Sequence, residues 1–489
     1  MSRLIVGPFN RVEGDLEVRL EVADGRVAGA QVVAPMYRGF EQMLPGRDPH
    51  DALIIVPRIC GICSVSQSVV AARALADLQG IEPEANGLLV TNVMLACENL
   101  ADHLAHFYLF FMPDFARPAY AGRPWFDEIV RRFEAQRGDH ASAAIAARQR
   151  WFTVMGLLGG KWPHTHSIEP GGSSRAVSAS ERLRLLARVR EFRLFVERTW
   201  LGAPLEAVAA LDGVDALQAW HAQDPMRGDL RAFLTVAADL GLASLGPGPG
   251  RYLSYGAYPQ PDGSMAVARG VWETAHDGPG HLVPLDPARI TEDATHAWLA
   301  DGGAPLHPAA GRTEPQPDKA GAYTWNKAPR LDGRVVETGA VARQVVDGHP
   351  LMRDAVARHG GSVLTRVLAR AMEVARVLPR VEAWLHALVP GEPWCRASTA
   401  PRRDGHGMGL GEAARGALGH WLSVRDGRIE RYQIVAPTSW NFSPRDAAGT
   451  PGALESALVG TPVQPGEATP VAVQHVVRSF DPCMVCTVH

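Results

Sequence analysis

Two cysteine pairs are the residues in this chain best suited to chemistry. Cys60 and Cys63 lie in "RICGICSVSQS", and Cys483 and Cys486 lie in "DPCMVCTVH", which closes on His489. In each C-x-x-C the two thiolates can converge on one centre, and four thiolates suit a soft or borderline cation such as zinc, nickel, iron or copper(I). A structural zinc site joining two distant segments is the plain alternative. A thioredoxin-like dithiol fits less well, because no βαβ pattern surrounds either pair and two pairs exceed its need. Zinc ribbons and knuckles keep their pairs within tens of residues; here more than four hundred intervene. Arg58 and Asp481, just before the two pairs, are types that orient ligands from behind rather than zinc-finger spacers. A histidine three residues past the last cysteine implies that something holds this segment, since a terminus normally frays.

Composition narrows the partners. The chain has 489 residues, 46% hydrophobic and 21% charged, which is ordinary globular usage. With 49 basic against 52 acidic residues the net charge is −3, so nucleic acid is not expected as a partner, and with no run of about 18 uncharged apolar residues direct membrane insertion is not expected either. The opening "MSRLIVGPFNRVEGD" does not resemble a secretory signal. A cytoplasmic location is expected, with export as a passenger on a signal-bearing partner as the alternative. Six cysteines are too few for a disulfide scaffold of this length.

The elements that must position these residues can be read coarsely. "DLEVRLEV" and "AGAQVVAP" flank Asp24-Gly25, and "HWLSV" and "IERYQIVAP" flank Asp426-Gly427; both read as β-hairpins, one near each end. Between them the pattern is helical. Residues 52–80 hold small and apolar residues at helical spacing, and 86–111 are apolar almost all round, as in a buried helix. Ser178 and Glu181 form a candidate capping box for a helix with the stripe Leu185, Val189, Phe192, Val196. Residues 361–389 form another long helix, with a kink expected at Pro379. Residues 243–335 are rich in Gly, Pro and Trp and read as irregular strands and loops. The expected fold class is α+β: a mainly helical body with a central long-helix bundle and a β-hairpin near each terminus. One interleaved body over 1–489 divides into an N-terminal β region (1–50), a helical core (51–242), the loop-rich stretch (243–335), a helical stretch (336–400) and a C-terminal hairpin with a metal-binding tail (401–489).

The cysteine pairs, with "RVEGD", "YRGFE", "GRDPHDA", "ADHLAHFY", "GGKWPHTHSIEPGG", "EAARGALGHW" and "APTSWNFSPRDA" in order along the chain, resemble the large subunit of nickel–iron hydrogenases. The resemblance implies a buried Ni-Fe centre with Cys60 and Cys483 as terminal nickel ligands, Cys63 and Cys486 bridging nickel and iron, and carbon monoxide and cyanide on the iron. It implies heterolytic cleavage of H2, with the proton taken by a thiolate, Cys483 or Cys486, or by Arg415. Arg415 would lie over the metals, paired by Asp102 and Asp481. Arginine is a poor base, so its role is expected to be electrostatic. Glu13 matches a proton-relay glutamate, and Thr438 a donor to a cyanide ligand. Glu41, the Ile434 carbonyl and His489 match the ligands of a magnesium or similar cation. Cys97 and Cys395 match no ligand position, and His103, His106, His164 and His166 are expected to shape core and loops.

Some positions depart from the family pattern. Gln67 and Asp15 stand where histidines are usual, and Ala414 where proline is usual. Ile62 and Phe110 stand where the smaller valine and leucine are common, at positions that line the gas channel. Extra bulk there narrows a hydrophobic passage. Ile62 and Phe110 together with Gln67 resemble the regulatory, hydrogen-sensing branch: oxygen-tolerant, slow in turnover and coupled to a histidine kinase. A respiratory uptake hydrogenase is the runner-up, and a structural zinc or complex-I-like scaffold without turnover is the alternative of another class. With four cysteines committed and two isolated, electrons must leave through iron–sulfur clusters of a small partner subunit.

Overall fold

The computed structural model describes residues 2–275, 280–397 and 402–489; the division drawn at 400/401 lies outside them. The fold is α+β and mainly helical, as the pattern implies. Each expected hairpin is present and gains a third strand. Near the N-terminus β1 (Ser2–Val6), β2 (Glu17–Ala23) and β3 (Arg26–Val33) form an antiparallel sheet. Near the C-terminus β6 (Gly405–Ala413), β7 (Gly416–Arg425) and β8 (Arg428–Val435) form another. Both turns have positive φ at both central residues, 50° and 70° at Asp24-Gly25 and 52° and 74° at Asp426-Gly427, the geometry that matches strand twist. Between the sheets, β4 (Arg251–Pro259) and β5 (Met265–Glu273) anchor the sheet of the loop-rich stretch.

Residues 52–80 are not one helix. Short turns at Ala52–Ile55 and Val56–Ile59 end at an extended Cys60 (φ −144°, ψ 131°), and α1 (Ser64–Gln79) starts after Cys63. Apolar spacing runs straight through this break; Pro57 and Gly61 are its only local signs. α2 (Ala85–Ala105) is buried over nearly its whole length and passes into a π-helical turn, His106–Phe111. The Ser178 capping box forms and opens α3 (Ala179–Phe195), and its stripe is buried. Two further helices are α4 (Ala340–Val346) and α5 (Val363–Ala387). α5 starts at a Ser362–Thr365 box and continues through Pro379.

α2 and α5 cross in the main core, and α1 lies against β6. Gly407 and Gly409 allow that approach: a Cβ at either would stand 2.1 Å from the Ala74 or Val70 carbonyl oxygen. The two chain ends also mesh. Val27 donates to Thr461 O and Gly460 to Val27 O, while Glu13 and Cys483 form a parallel bridge in which Met484 donates to Glu13 O at 2.7 Å. A helix, α6 (Val471–Ser479), leads into the second cysteine pair.

Candidate metal centre

The four cysteines converge. Their sulfurs all lie within 4.8 Å of one another and all four residues are buried. The first members of each pair stand 3.4 Å apart, Cys60 to Cys483, and the second members 3.2 Å, Cys63 to Cys486; Cys483 and Cys486 are 3.0 Å apart. Amides of Ile62 and Cys63 donate to Cys60 Sγ at 3.3 and 3.5 Å, so the loop between helical turns aims its main chain at one sulfur. Hydrogen bonds from Cys483, Cys486 and Cys63 draw the Cys60 thiol well below its usual range, and the same contacts push Cys63 and Cys486 far up. Four thiolates can coexist at such spacing only around a multivalent cation. The donor set fits a soft metal.

Arg415 lies in the β6–β7 turn, 3% exposed. Its Nη1 donates to Asp102 Oδ2 at 2.8 Å, its Nη2 to Asp481 Oδ1 at 3.1 Å and its Nε to Asp481 O at 3.0 Å. Burial opposes its charge, but Asp102 and Asp481 together hold it protonated far above the ordinary value. Burial, against the pull of Arg415, pushes Asp102 up to about 7. Asp481 sits at φ 58°, where few non-glycine residues lie, and its carbonyl and carboxylate both accept from Arg415. The second carboxylate oxygens, Asp102 Oδ1 and Asp481 Oδ2, are buried without a protein partner.

Glu13 is half-buried, and its main chain pairs with the Cys483 segment. Burial and the Cys60 charge raise its carboxyl, against Arg415 and Arg38. Thr438 Oγ1 accepts from the Cys483 amide at 3.2 Å, which leaves its own hydrogen to donate. Ile62 is half-buried against the cluster that contains all four cysteines. Phe110 stands apart from that cluster, half-buried on the π-turn with its carbonyl accepting from Arg11.

A second cluster surrounds His489. Its Nε2 lies 2.8 Å from Ile434 O and 3.3 Å from Glu41 Oε1, and its Nδ1 meets Cys486 O. The Ile434 amide donates to Glu41 Oε1 at 2.7 Å. Lys327 Nζ stands 3.6 Å from Glu41 and 3.1 Å from Glu292, and Thr313 caps Glu41 Oε2. Burial raises the Glu41 carboxyl, yet Lys327 and His489 hold it down at about 2. Glu41, Glu292, Thr313, Lys327 and His489 line a cavity of about 10 Å³, close to the room one water needs. Cys97 is buried and Cys395 exposed, both away from the centre. His103 and His106 are buried with core partners, Glu373 and Arg478 O.

Sequence reading missed Glu98. Its carboxylate accepts from the amides of Val65 and Ser66, the hydroxyls of Ser64 and Ser66, and Trp162 Nε1. It thereby caps α1 immediately after Cys63, a position in which a carboxylate also complements the helix dipole. Lys327, Thr313, Arg343 and Glu373 were missed too. A charged residue inside a mostly apolar helical run, as at Glu98, is a signal that could have found that one; Lys327, Thr313, Arg343 and Glu373 carry no such local sign.

Residues 38–122 and 138–489 match the nickel-dependent hydrogenase family. The periplasmic NiFeSe hydrogenase large subunit of Desulfomicrobium baculatum is 30% identical, covering 100% of this chain and 95% of that protein. The uptake hydrogenase large subunit of Rhodobacter capsulatus is 29% identical with the same coverage. The solved Ni-Fe-Se hydrogenase of D. vulgaris Hildenborough in its reduced state superposes with a TM-score of 0.85 at 29% identity, covering 100% of both chains. With four cysteines gathered as a soft-metal pocket, this chain belongs to the nickel-dependent hydrogenases, and its relatives are hydrogenase large subunits.

Proposed function

We propose that Cys60, Cys63, Cys483 and Cys486 hold a nickel–iron centre, Cys60 and Cys483 terminal on nickel, Cys63 and Cys486 bridging to iron. The observation that carries the centre is the convergence of four buried sulfurs within 4.8 Å of one another; the split into terminal and bridging ligands follows the family resemblance. When bound, the centre supplies the Lewis-acid and redox chemistry that splits H2 heterolytically. The resemblance implies carbon monoxide and cyanide on the iron, and Thr438, whose hydroxyl hydrogen is free while its oxygen accepts from the Cys483 amide, would donate to a cyanide. Arg415 keeps two N–H donors beyond its three bonds and, being permanently charged, polarises rather than takes protons. Cys483 is the favoured base; its main chain is paired with Glu13, whose half-buried carboxyl, raised by burial and the Cys60 charge, would carry the proton outward. Electrons leave to iron–sulfur clusters in the small subunit. Infrared spectroscopy and metal analysis of the purified complex test this: nickel and iron with carbonyl and cyanide stretches are expected, and zinc alone overturns it.

Glu41, the Ile434 carbonyl and His489 are proposed to hold magnesium or a similar cation, supported by three convergent donors beside a water-sized cavity. Within the family, a hydrogen-sensing role of low turnover and oxygen tolerance is favoured by Ile62, whose branched side chain lies against the cysteine cluster; Phe110 would narrow the channel further out. That reading carries a cytoplasmic location and a histidine-kinase partner. The uptake reading, favoured by the names of the relatives, carries export with the small subunit. No helix among the described residues is long and apolar enough to cross a membrane. Ile62→Val separates the two: faster oxygen inactivation is expected for a narrowed channel, and unchanged oxygen sensitivity removes the support for the sensor.

A further inference from the structure

Arg343 occupies the core behind the Arg415 turn, 1% exposed. All five of its N–H donors are used. Nε donates to Glu373 Oε2 at 2.7 Å and Nη2 to Glu373 Oε1 at 2.9 Å, a two-armed grip on a carboxylate of α5. Nη1 donates to Glu412 Oε2 at 2.7 Å and to Ala413 O at 2.8 Å, and the remaining Nη2 hydrogen goes to Ala414 O at 2.8 Å. The two carbonyls are those immediately before Arg415. Glu373 Oε1 also meets His103 Nε2 at 3.0 Å, and His103 follows Asp102, the partner of Arg415 Nη1. One carboxylate on α5 therefore ties down the neighbours of both members of the Arg415–Asp102 pair. Arg343 grips the turn that carries the guanidinium, and His103 grips the helix that carries its acceptor.

We propose that Arg343 and Glu373 are positioning residues that set where the Arg415 guanidinium stands over the sulfurs, rather than a stabilising ion pair of the core. The proposal rests on the role given to Arg415 above. Two geometric points favour it. Arg343 gives two of its five donors to main-chain carbonyls of a single turn, which a partner chosen only for charge balance has no reason to do. The Arg415 turn is the link between β6 and β7, and these two bonds tie its main chain to Arg343. A lysine at 343 keeps the charge but cannot reproduce the planar fork.

The test uses the loaded two-subunit enzyme in a double-mutant cycle of Arg343→Lys and Arg415→Lys. Arg343→Lys is expected to lower kcat by about 10²-fold, the loss that misplacement of about 1 Å brings, with KM for H2 and nickel content unchanged. Its carbonyl and cyanide stretches should shift in the same sense as those of Arg415→Lys. In the Arg415→Lys background it should cause no further loss. A crystal structure of the Arg343→Lys enzyme should show residue 415 drawn off Asp102. Equal losses in both backgrounds, or loss of nickel in step with activity, overturn the proposal and leave the role of Arg415 standing. An Arg415→Lys enzyme with wild-type rate and bands overturns both. Glu373→Gln carries the same cycle should the lysine variant fail to assemble, because it keeps an acceptor and removes the charge.

Discussion

The cysteine pocket and the cluster around His489 share one C-terminal segment, yet they handle buried charge in opposite ways. In the pocket, four sulfurs crowd within 4.8 Å, and the nearby cation, Arg415, already answers Asp102 and Asp481. The protein supplies no charge to match the thiolates, so a metal must. Around His489 the protein supplies its own: Lys327 lies between Glu41 and Glu292, and the imidazole faces Glu41. The first site is built to be incomplete without a cation, and the second is close to balanced before one arrives. A pocket with a charge deficit needs a cation to complete it, whereas a balanced one is a clamp that a cation can tighten.

The largest break in this contrast is a change at the deficit itself. Cys483→Ser should abolish H2 oxidation and release nickel, read by metal analysis and by loss of the carbonyl and cyanide stretches. Next comes Arg415→Lys, which keeps one positive charge but loses the bidentate reach. Activity should fall by about 10²–10³-fold, as when a preorganised donor is removed, with metal content retained. At the clamp, Lys327→Met leaves Glu41 and Glu292 buried without their cation, a loss of about 3–5 kcal/mol. The thermal midpoint should drop and should now respond to added magnesium and to chelators, while the wild type responds weakly. A wild type that loses its midpoint to chelator as strongly as the variant would erase the distinction. The smallest effect is expected at Glu98→Gln, where one amide hydrogen pair must face the donors of Ser64, Val65, Ser66 and Trp162. About 1–3 kcal/mol of stability should go, with nickel affinity lowered because α1 no longer starts firmly at Cys63.

Much of the centre was legible before any coordinates. Four cysteines in two pairs, with an arginine and two aspartates in ordered motifs, carry a chemistry that few other arrangements share. The structure then brings Arg415, Asp102 and Asp481 together as that resemblance implies. Other features were hidden for physical reasons. The break at Cys60–Cys63 could not be seen in residues 52–80, because small and apolar residues satisfy the helical period across it, whatever their exposure. The π-turn at His106–Phe111 follows a helix that is apolar all round, so no face exists whose drift would reveal an extra residue per turn. The third strands carry no hairpin signal: a long loop separates β1 from β2, and the two-residue turn Ala414-Arg415 between β6 and β7 lacks an Asn-Gly or Asp-Gly pair. The grip of Arg343 on two carbonyls is long-range, and a lone arginine in "GAVARQ" gives no local hint of it.

The bridge between Glu13 and Cys483 has a consequence for how the enzyme comes into being. Strand partners this remote in the chain meet only after some four hundred and seventy intervening residues have been made, and such distant closure is slow relative to local folding. While the ribosome is at work the first pair of sulfurs waits without the second. Metal delivery must therefore be a late event, and the interval before the tail docks is when the nascent subunit is open to whatever loads it.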